Sequence, residues 1–365
     1  MKQELYVQAL QTLCDREIYW LRQRAESFKG RRLVLFPAGP TSQASYYTLL
    51  NDYGIEAEFF VDNNPALKGM QVCGKPILSF DQVLEIEHFS EKYALLIPTS
   101  FSKYYFQIAE QLENAGILTY MHFFAFSVSR LWEKCKKVSD MLYDGQSKLS
   151  YWGAVYSMLT CDNSFIQYEK EQYFAVRQFI SNSLDTIVDA GAFVGDTVEE
   201  YVKRAIDGCK VYAFEPFDAP FQKLKNRTER LKKEWILGDD DIVPVPAGVG
   251  AETKRVKFSL ANPIMLRPNE QGHMELQIYS LDDYFKDKPP FTLLKADIEG
   301  GELDMLRGAA EMIRRHRPKM TISIYHSPED MVRIAEYIHS LVPEYRMAVR
   351  NHSNDYKETI LYCWI

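Results

Sequence analysis

No Cys-x-x-Cys pair occurs in this chain, and its six cysteines and seven histidines show no spacing suited to zinc. Cys14, Cys73, Cys135, Cys161, Cys209 and Cys363 lie far apart, which excludes a zinc ribbon and the disulfide framework of small secreted domains. They read as buried free thiols in a reducing cytoplasm. Long apolar runs are also missing: stretches such as Tyr120 to Val128 fall far short of the roughly 18 residues that span a bilayer. Met1-Lys2-Gln3-Glu4-Leu5 has no apolar signal core, so an unsecreted, cytoplasmic location is expected. Basic residues nowhere cluster with interleaved aromatics, and the formal net charge is −7, which argues against nucleic acid as the main partner. Neither internal repeats nor low-complexity segments are present.

What is present is ordinary globular composition, 46% hydrophobic and 25% charged over 365 residues, a length that suits two domains. Residues 1–29 carry apolar positions at near-helical spacing, with Gly30 as a stop. Short apolar runs at Leu33–Phe36, Glu58–Asp62 and Tyr93–Pro98 then alternate with helical patterns, so residues 1–120 are expected to be a small Rossmann-like α/β domain with an N-terminal helix. Phe60-Val61-Asp62-Asn63-Asn64-Pro65 in this segment resembles a loop in the N-terminal domains of some sugar-modifying enzymes. Residues 121–180, rich in aromatics and charges, read as a helical connector, with helices over 126–142 and 167–179. From Asp185 onward the alternation resumes. Strands are expected at 186–190, 210–215, 242–249, 292–297, 320–325, 345–350 and 358–364, with an inserted hairpin of Arg255–Leu260 and Glu275–Tyr279. The link between the last two strands is too short for a parallel crossover, so that pair should be antiparallel.

The first chemical signal is Asp189-Ala190-Gly191-Ala192-Phe193-Val194-Gly195-Asp196-Thr197, which follows a strand and opens a helix. Gly191 and Gly195 let main-chain amides approach a ligand closely. Asp189 can fix the turn or accept from a ligand ammonium. Close strand–helix packing explains such glycines equally well. The next strand ends in Phe214-Glu215-Pro216, placing a carboxylate where nucleoside-binding sheets hold ribose hydroxyls; the alternative for Glu215 is a helix cap. The fourth strand ends in Lys295-Ala296-Asp297-Ile298-Glu299-Gly300-Gly301-Glu302. Asp297 falls at the ligand-binding edge of an open α/β sheet, while Glu302 reads as an acidic helix start.

Five segments in order resemble the FkbM family of methyltransferases: the Asp189–Thr197 turn, Phe214-Glu215-Pro216, Lys295–Glu302, Ser323-Ile324-Tyr325-His326 with Pro328-Glu329-Asp330, and Tyr345-Arg346 through Asn351-His352-Ser353 to Glu358-Thr359. The resemblance covers about residues 165–365. It implies an α/β fold with a C-terminal Rossmann-type, seven-stranded methyltransferase sheet over 181–365, S-adenosylmethionine as cofactor, and methyl transfer mainly to oxygen. Phe193 departs from the pattern, standing where the generic turn has glycine. The cofactor-binding residues are then expected to be Asp189, Gly191, Ala192, Gly195, Thr197, Glu215, Pro216 and Asp297.

An alcohol acceptor must lose its proton, and in the strand order that the resemblance implies, His326 neighbours Asp297 as candidate base. Helix initiation by Ser327-Pro328-Glu329-Asp330 is the competing explanation for His326. His352, in the turn before the last strand, is the backup base. Gln172-Tyr173-Phe174 is read either as a flap over the cofactor or as core. A metal on Asp297 and His326 lacks a third ligand of convincing spacing, so none is expected. The acceptor is expected to be a small molecule or glycan precursor, and a homodimer stays open. A nicotinamide- or nucleotide-sugar-dependent enzyme is the second reading. The third is a non-catalytic N-terminal module, whose Pro37-Ala38-Gly39-Pro40 turn lacks the amide donors to cradle a phosphate.

Overall fold

A computed structural model describes residues 2–258 and 274–365. The chain forms two compact units. The first comprises Leu5–Glu133 and Val155–Phe165, and the second mainly Lys134–Ala154 and Ile166–Ile365. The opening elements are α1 (Lys2–Glu26), β1 (Arg32–Leu35), α2 (Pro40–Tyr53), β2 (Ala57–Asp62), β3 (Gln71–Val72), β4 (Lys75–Ser79), α3 (Phe80–Leu84), α4 (Phe89–Lys92), β5 (Tyr93–Ile97), α5 (Ser102–Asn114), β6 (Tyr120–His122), α6 (Phe123–Met141) and α7 (Gly145–Thr160). Among the described residues no helix is long and apolar enough to cross a membrane.

The first unit is built on a sheet of order β3-β4-β2-β1-β5-β6, parallel except for the β3–β4 pair. Every residue of β5, Tyr-Ala-Leu-Leu-Ile, is buried, as an apolar run covered on both faces requires. Gly54 at φ 66° ends α2 in the left-handed conformation, and a reciprocal Ser79–Gln82 capping box starts α3. The Asp62 carboxylate closes β2 onto the β1 turn, accepting from the Ala38 and Asn64 amides at 2.9 and 2.8 Å.

The second unit continues with β7 (Thr186–Ala190), α8 (Asp196–Arg204), β8 (Lys210–Phe214), α9 (Asp218–Glu234), β9 (Ile242–Val245), β10 (Gly248–Val249), β11 (Lys254–Phe258), β12 (Met274–Tyr279), α10 (Leu281–Tyr284), β13 (Leu293–Ala296), α11 (Glu302–Arg307), α12 (Ala310–His316), β14 (Lys319–Ser323), α13 (Asp330–Leu341), β15 (Arg346–Asn351) and β16 (Thr359–Trp364). Seven strands form one sheet in the order β15-β16-β14-β13-β7-β8-β9. Only β16 runs antiparallel to its neighbours, as the short final link demanded. Ile187, Val211, Ala213 and Leu293 of the strands pack with Val198, Tyr201, Leu224 and Leu231 of the helices to make the core.

Two local expectations meet different outcomes. The strand over 242–249 is interrupted: the Ala247 amide turns back to the Val245 carbonyl at 2.8 Å, and β10 joins a small separate sheet with β12 and β11. Residues 167–179 are not a helix. Tyr168 bridges to Asn351, Glu171 and Tyr173 adopt φ of 66° and 67°, and only Arg177–Phe179 forms a 3-10 turn; left-handed residues cannot continue a right-handed helix. The expected hairpin forms between β11 and β12. Its Ser259 and Leu260 lie outside the described residues, as does the rest of 259–273.

Candidate active site

The glycine turn emerges from the carboxyl end of β7. Gly191 has φ +75°, and a Cβ there would lie 1.9 Å from the Asp297 carbonyl oxygen, so only glycine allows the β7 and β13 edges to close together. Gly195, at φ +81°, precedes α8, and a Cβ would meet Leu224 Cδ1 at 2.8 Å. Packing therefore suffices to require both glycines. The Gly191 amide and that of buried Ala192 donate to the Phe214 carbonyl at 3.1 and 2.9 Å. Thr197 stands half-buried in the first turn of α8.

Asp189 is fully buried and ion-paired with Lys295, Nζ to Oδ1 3.0 Å, in a site where neither side chain exceeds 3% exposure. The same Nζ donates to the Gly191 carbonyl at 2.9 Å. Burial alone would lower the Lys295 pKa, but Asp189 and Asp297 beside it hold it above the usual value, so the ammonium stays charged. Asp189 thus fixes the turn through Lys295.

Glu215 is 5% exposed. Its Oε2 accepts from the Phe193 amide at 3.1 Å and its Oε1 from the Phe217 amide at 2.9 Å. Burial raises its pKa against those two amides. Each oxygen retains a lone pair for a further donor. Pro216 follows, half-buried near Gly248. Phe193 is held at φ 47° with its ring 58% exposed. The residue that replaces the usual glycine thus adopts the left-handed conformation that glycine favours.

At the ends of β13 and β14 a second group of side chains converges on Asp297. His326 Nε2 stands 3.4 Å from Asp297 Oδ1 and 3.6 Å from Glu299 Oε2, while its Nδ1 stands 3.4 Å from Glu302 Oε1. Burial alone would lower the His326 pKa, but Glu302, Asp297 and Glu299 raise it to about 10. Glu302 is fully buried, and its Oε1 accepts from the Ile298 amide at 2.7 Å. Tyr173 donates to Asp297 Oδ2 at 2.9 Å, and the Tyr325 hydroxyl lies 3.3 Å from both Asp297 Oδ1 and Glu358 Oε1. Gln172 donates to Glu358 Oε2. Burial, with Glu302 beside it, lifts the Asp330 carboxyl to about 7 against the lowering effect of His326. Tyr173, Phe193, Glu299 and Glu358 all have φ between 47° and 67°, the kind of backbone strain that collects at functional sites.

The structure thus brings His326 to Asp297 and leaves His352 apart. His352 Nδ1 donates to the Glu169 carbonyl at 2.8 Å and Nε2 accepts from Tyr362 at 2.9 Å, and burial lowers its pKa to about 4. The turn after β15 does reach the expected edge, but through Glu358. Tyr173 and Tyr325 lie within Gln172-Tyr173-Phe174 and Ser323-Ile324-Tyr325-His326, segments that already pointed toward the site. Their shared contact with Asp297 had no signal of its own. Phe174 packs in the core against Tyr201.

A seven-stranded sheet of this order, with a glycine turn after its first strand and acids at the ends of its second and fourth, defines a Rossmann-type methyltransferase fold. Residues 189–356 match the family model described as the methyltransferase FkbM domain. A crystal structure of a methyltransferase FkbM from Methylobacillus flagellatus KT superposes with a TM-score of 0.57 at 22% identity, covering 99% of this chain and 98% of that one. "Methyltransferase 1" of Beauveria bassiana (strain ARSEF 2860) is 28% identical over 143 residues, 33% of this chain and 57% of that relative. The match therefore spans little more than half the length of the curated relative.

Proposed function

We propose that the domain over 181–365 transfers a methyl group from S-adenosylmethionine to a hydroxyl oxygen of a small molecule, a sugar or glycan precursor first and a polyketide-type metabolite second. The observation that carries this reading is Asp297. Its carboxylate sits at the ligand edge of the sheet, two tyrosine hydroxyls hold it, and it lies one strand from the glycine turn. When bound, S-adenosylmethionine supplies an electrophilic methyl on a positively charged sulfur. The residues suit such a cation. Asp297, Glu299 and Glu358 gather carboxylates at this edge, and each Glu215 oxygen has a lone pair left for a ribose hydroxyl.

Glu215 and Pro216 would hold the nucleoside of the methyl donor, and the turn of Gly191, Ala192, Gly195 and Thr197 would border it. Asp189 acts at one remove, through Lys295 and the Gly191 carbonyl. Methyl transfer is an in-line displacement, so alignment and exclusion of water are the chain's main contributions. Asp297, at 21% side-chain exposure, is the more open member of its pair, with His326 at 7%, and in the absence of a bound cation it is the group placed to take the acceptor's proton, held by the Tyr173 and Tyr325 hydroxyls. His352 supports the turn that presents Glu358. The N-terminal region over 1–120 serves as a non-catalytic binding or docking module.

Calorimetry with S-adenosylhomocysteine, followed by a methyl-transfer assay over glycan precursors and hydroxylated metabolites, tests the proposal. Binding that weakens in Glu215→Gln supports it; absence of any binding refutes it. In the same titration, binding of a nicotinamide dinucleotide in place of the methyl donor would favour the second reading.

A further inference from the structure

We propose that the carboxylate–imidazole cluster at the ends of β13 and β14 is a divalent-cation site of the Mn2+ class, the ion held by His326 Nε2, Asp297 Oδ1 and Glu299 Oε2. One ligand atom each from Asp297, Glu302 and His326 lies within 4.8 Å of the others, and Glu299 Oε2 stands 3.6 Å from the same imidazole. The imidazole is 7% exposed, and neither of its nitrogens makes a hydrogen bond among the described residues. The buried ring faces carboxylates at 3.4 and 3.6 Å, an arrangement that an ion between them would satisfy.

Those separations are long for charge-assisted hydrogen bonds, which run about 2.7–2.9 Å. They lie within about 0.5 Å of what two ligands of one ion need: metal–ligand bonds of about 2.2 Å at the 90° of octahedral coordination put neighbouring ligand atoms about 3.1 Å apart. An imidazole gives a cation only one nitrogen, and the surroundings of the ring divide accordingly. Nε2 faces Asp297 and Glu299, and Nδ1 faces Glu302 at 3.4 Å. Glu302 then plays the part of the outer carboxylate that orients a metal-bound histidine. The Tyr173 and Tyr325 hydroxyls do the same for Asp297. Two ligating carboxylates balance a doubly charged ion, and a mixed N/O donor set suits Mn2+ over Ca2+. Glu299, at 64% exposure, leaves one side open, where a hydroxyl of the acceptor would complete the coordination; with the ion bound, Asp297 serves as a ligand and the ion's charge, rather than a free Asp297 carboxylate, would ease loss of the hydroxyl proton to water, a role that rests on the methyltransferase reading, whereas binding of the ion does not.

The test uses the full chain, stripped with EDTA and titrated with Mn2+, with free Mn2+ followed by electron paramagnetic resonance. One equivalent is expected to bind, and Mg2+ should compete. His326→Gln and Glu299→Gln should each weaken binding at least tenfold, and Glu302→Gln by roughly ten- to a hundredfold, the usual effect of an outer partner. Circular dichroism controls for folding of the buried variants, and the exposed Glu299→Gln keeps the test decisive if they fail to fold. No Mn2+ binding by the wild-type chain, or unchanged binding in Glu299→Gln, overturns the site. A chain that binds S-adenosylhomocysteine but not Mn2+ loses the cation site alone; one that binds Mn2+ but not S-adenosylhomocysteine keeps the site and loses the methyltransferase reading.

Discussion

Replacing Lys295 by methionine should destabilise the second unit more than any exposed substitution, because it strands a carboxylate in a dry site. Lys295 and Asp189 are 3% and 0% exposed with 3.0 Å between Nζ and Oδ1. At that separation an effective dielectric of about 20 gives roughly 5 kcal/mol of attraction, set against several kcal/mol per ion of desolvation. The net worth of the intact pair is therefore small, while removal of one partner costs about 3–5 kcal/mol. The two single variants should differ. Lys295→Met leaves Asp189 with burial raising its pKa and no cation to oppose it, and also deletes the 2.9 Å bond to the Gly191 carbonyl. Asp189→Asn leaves Lys295 with Asp297 and Asp196 still raising its pKa, so it should cost less. The double variant removes both charges and should come out no worse than Lys295→Met alone, far short of the sum. The chain has two units, so a single global transition is not assured. Hydrogen exchange of peptides covering 186–190 and 293–296 across a urea series reads the local free energy instead. A loss under about 1 kcal/mol in Lys295→Met, or additive costs in the double variant, would refute the argument.

Glu215→Gln should keep the fold, since one amide oxygen can still cap the Phe193 or Phe217 amide, while S-adenosylhomocysteine affinity falls about ten- to a hundredfold by calorimetry, the worth of roughly 1.5–3 kcal/mol for a hydrogen bond to a charged group. Lowered pKa values of about 4 for His352 and, in the first unit, His122 mean that the unfolded chain binds more protons between pH 4 and 6.5. Stability should therefore fall with pH across that window, by up to about 3 kcal/mol per histidine; His352→Gln should flatten the urea midpoint of the second unit there, and an unchanged slope would count against the assignment. Tyr173→Phe deletes the 2.9 Å bond to Asp297 and should lower kcat in the methyl-transfer assay with S-adenosylhomocysteine binding intact. Titration of NADH or a UDP-sugar into the full chain should give no heat from the first unit, because Asp62 already serves the Ala38 and Asn64 amides.

Local signals carried the fold further than the site. Strand β7 matches its expected limits, Thr186 to Ala190, because a buried parallel strand is written as a continuous apolar run bounded by turn residues. Glu215 and Asp297 were legible for a related reason: each ends such a run, and the ends of parallel strands share one edge. What lay beyond reach were contacts set by backbone conformations that sequence does not announce. The turn after β15 offered His352 as its inward residue. Glu358, at φ 55°, is the one that turns toward Tyr325, while a neutral His352 is consumed between Glu169 and Tyr362. Likewise Gln167–Phe179 reads as a helix by spacing, yet left-handed Glu171 and Tyr173 break it, and that break sends the Tyr173 hydroxyl to Asp297. Period-two alternation stops being informative where β13 ends at Ala296. Past that point the left-handed Glu299 and Gly300 decide which carboxylates face His326. The strain that hid these contacts from the sequence also assembles the cluster. Glu299→Gly keeps that left-handed backbone without its steric cost while deleting one carboxylate beside His326, so it should stabilise the loop in hydrogen exchange and leave the seven-stranded sheet intact; faster exchange there would refute the strain.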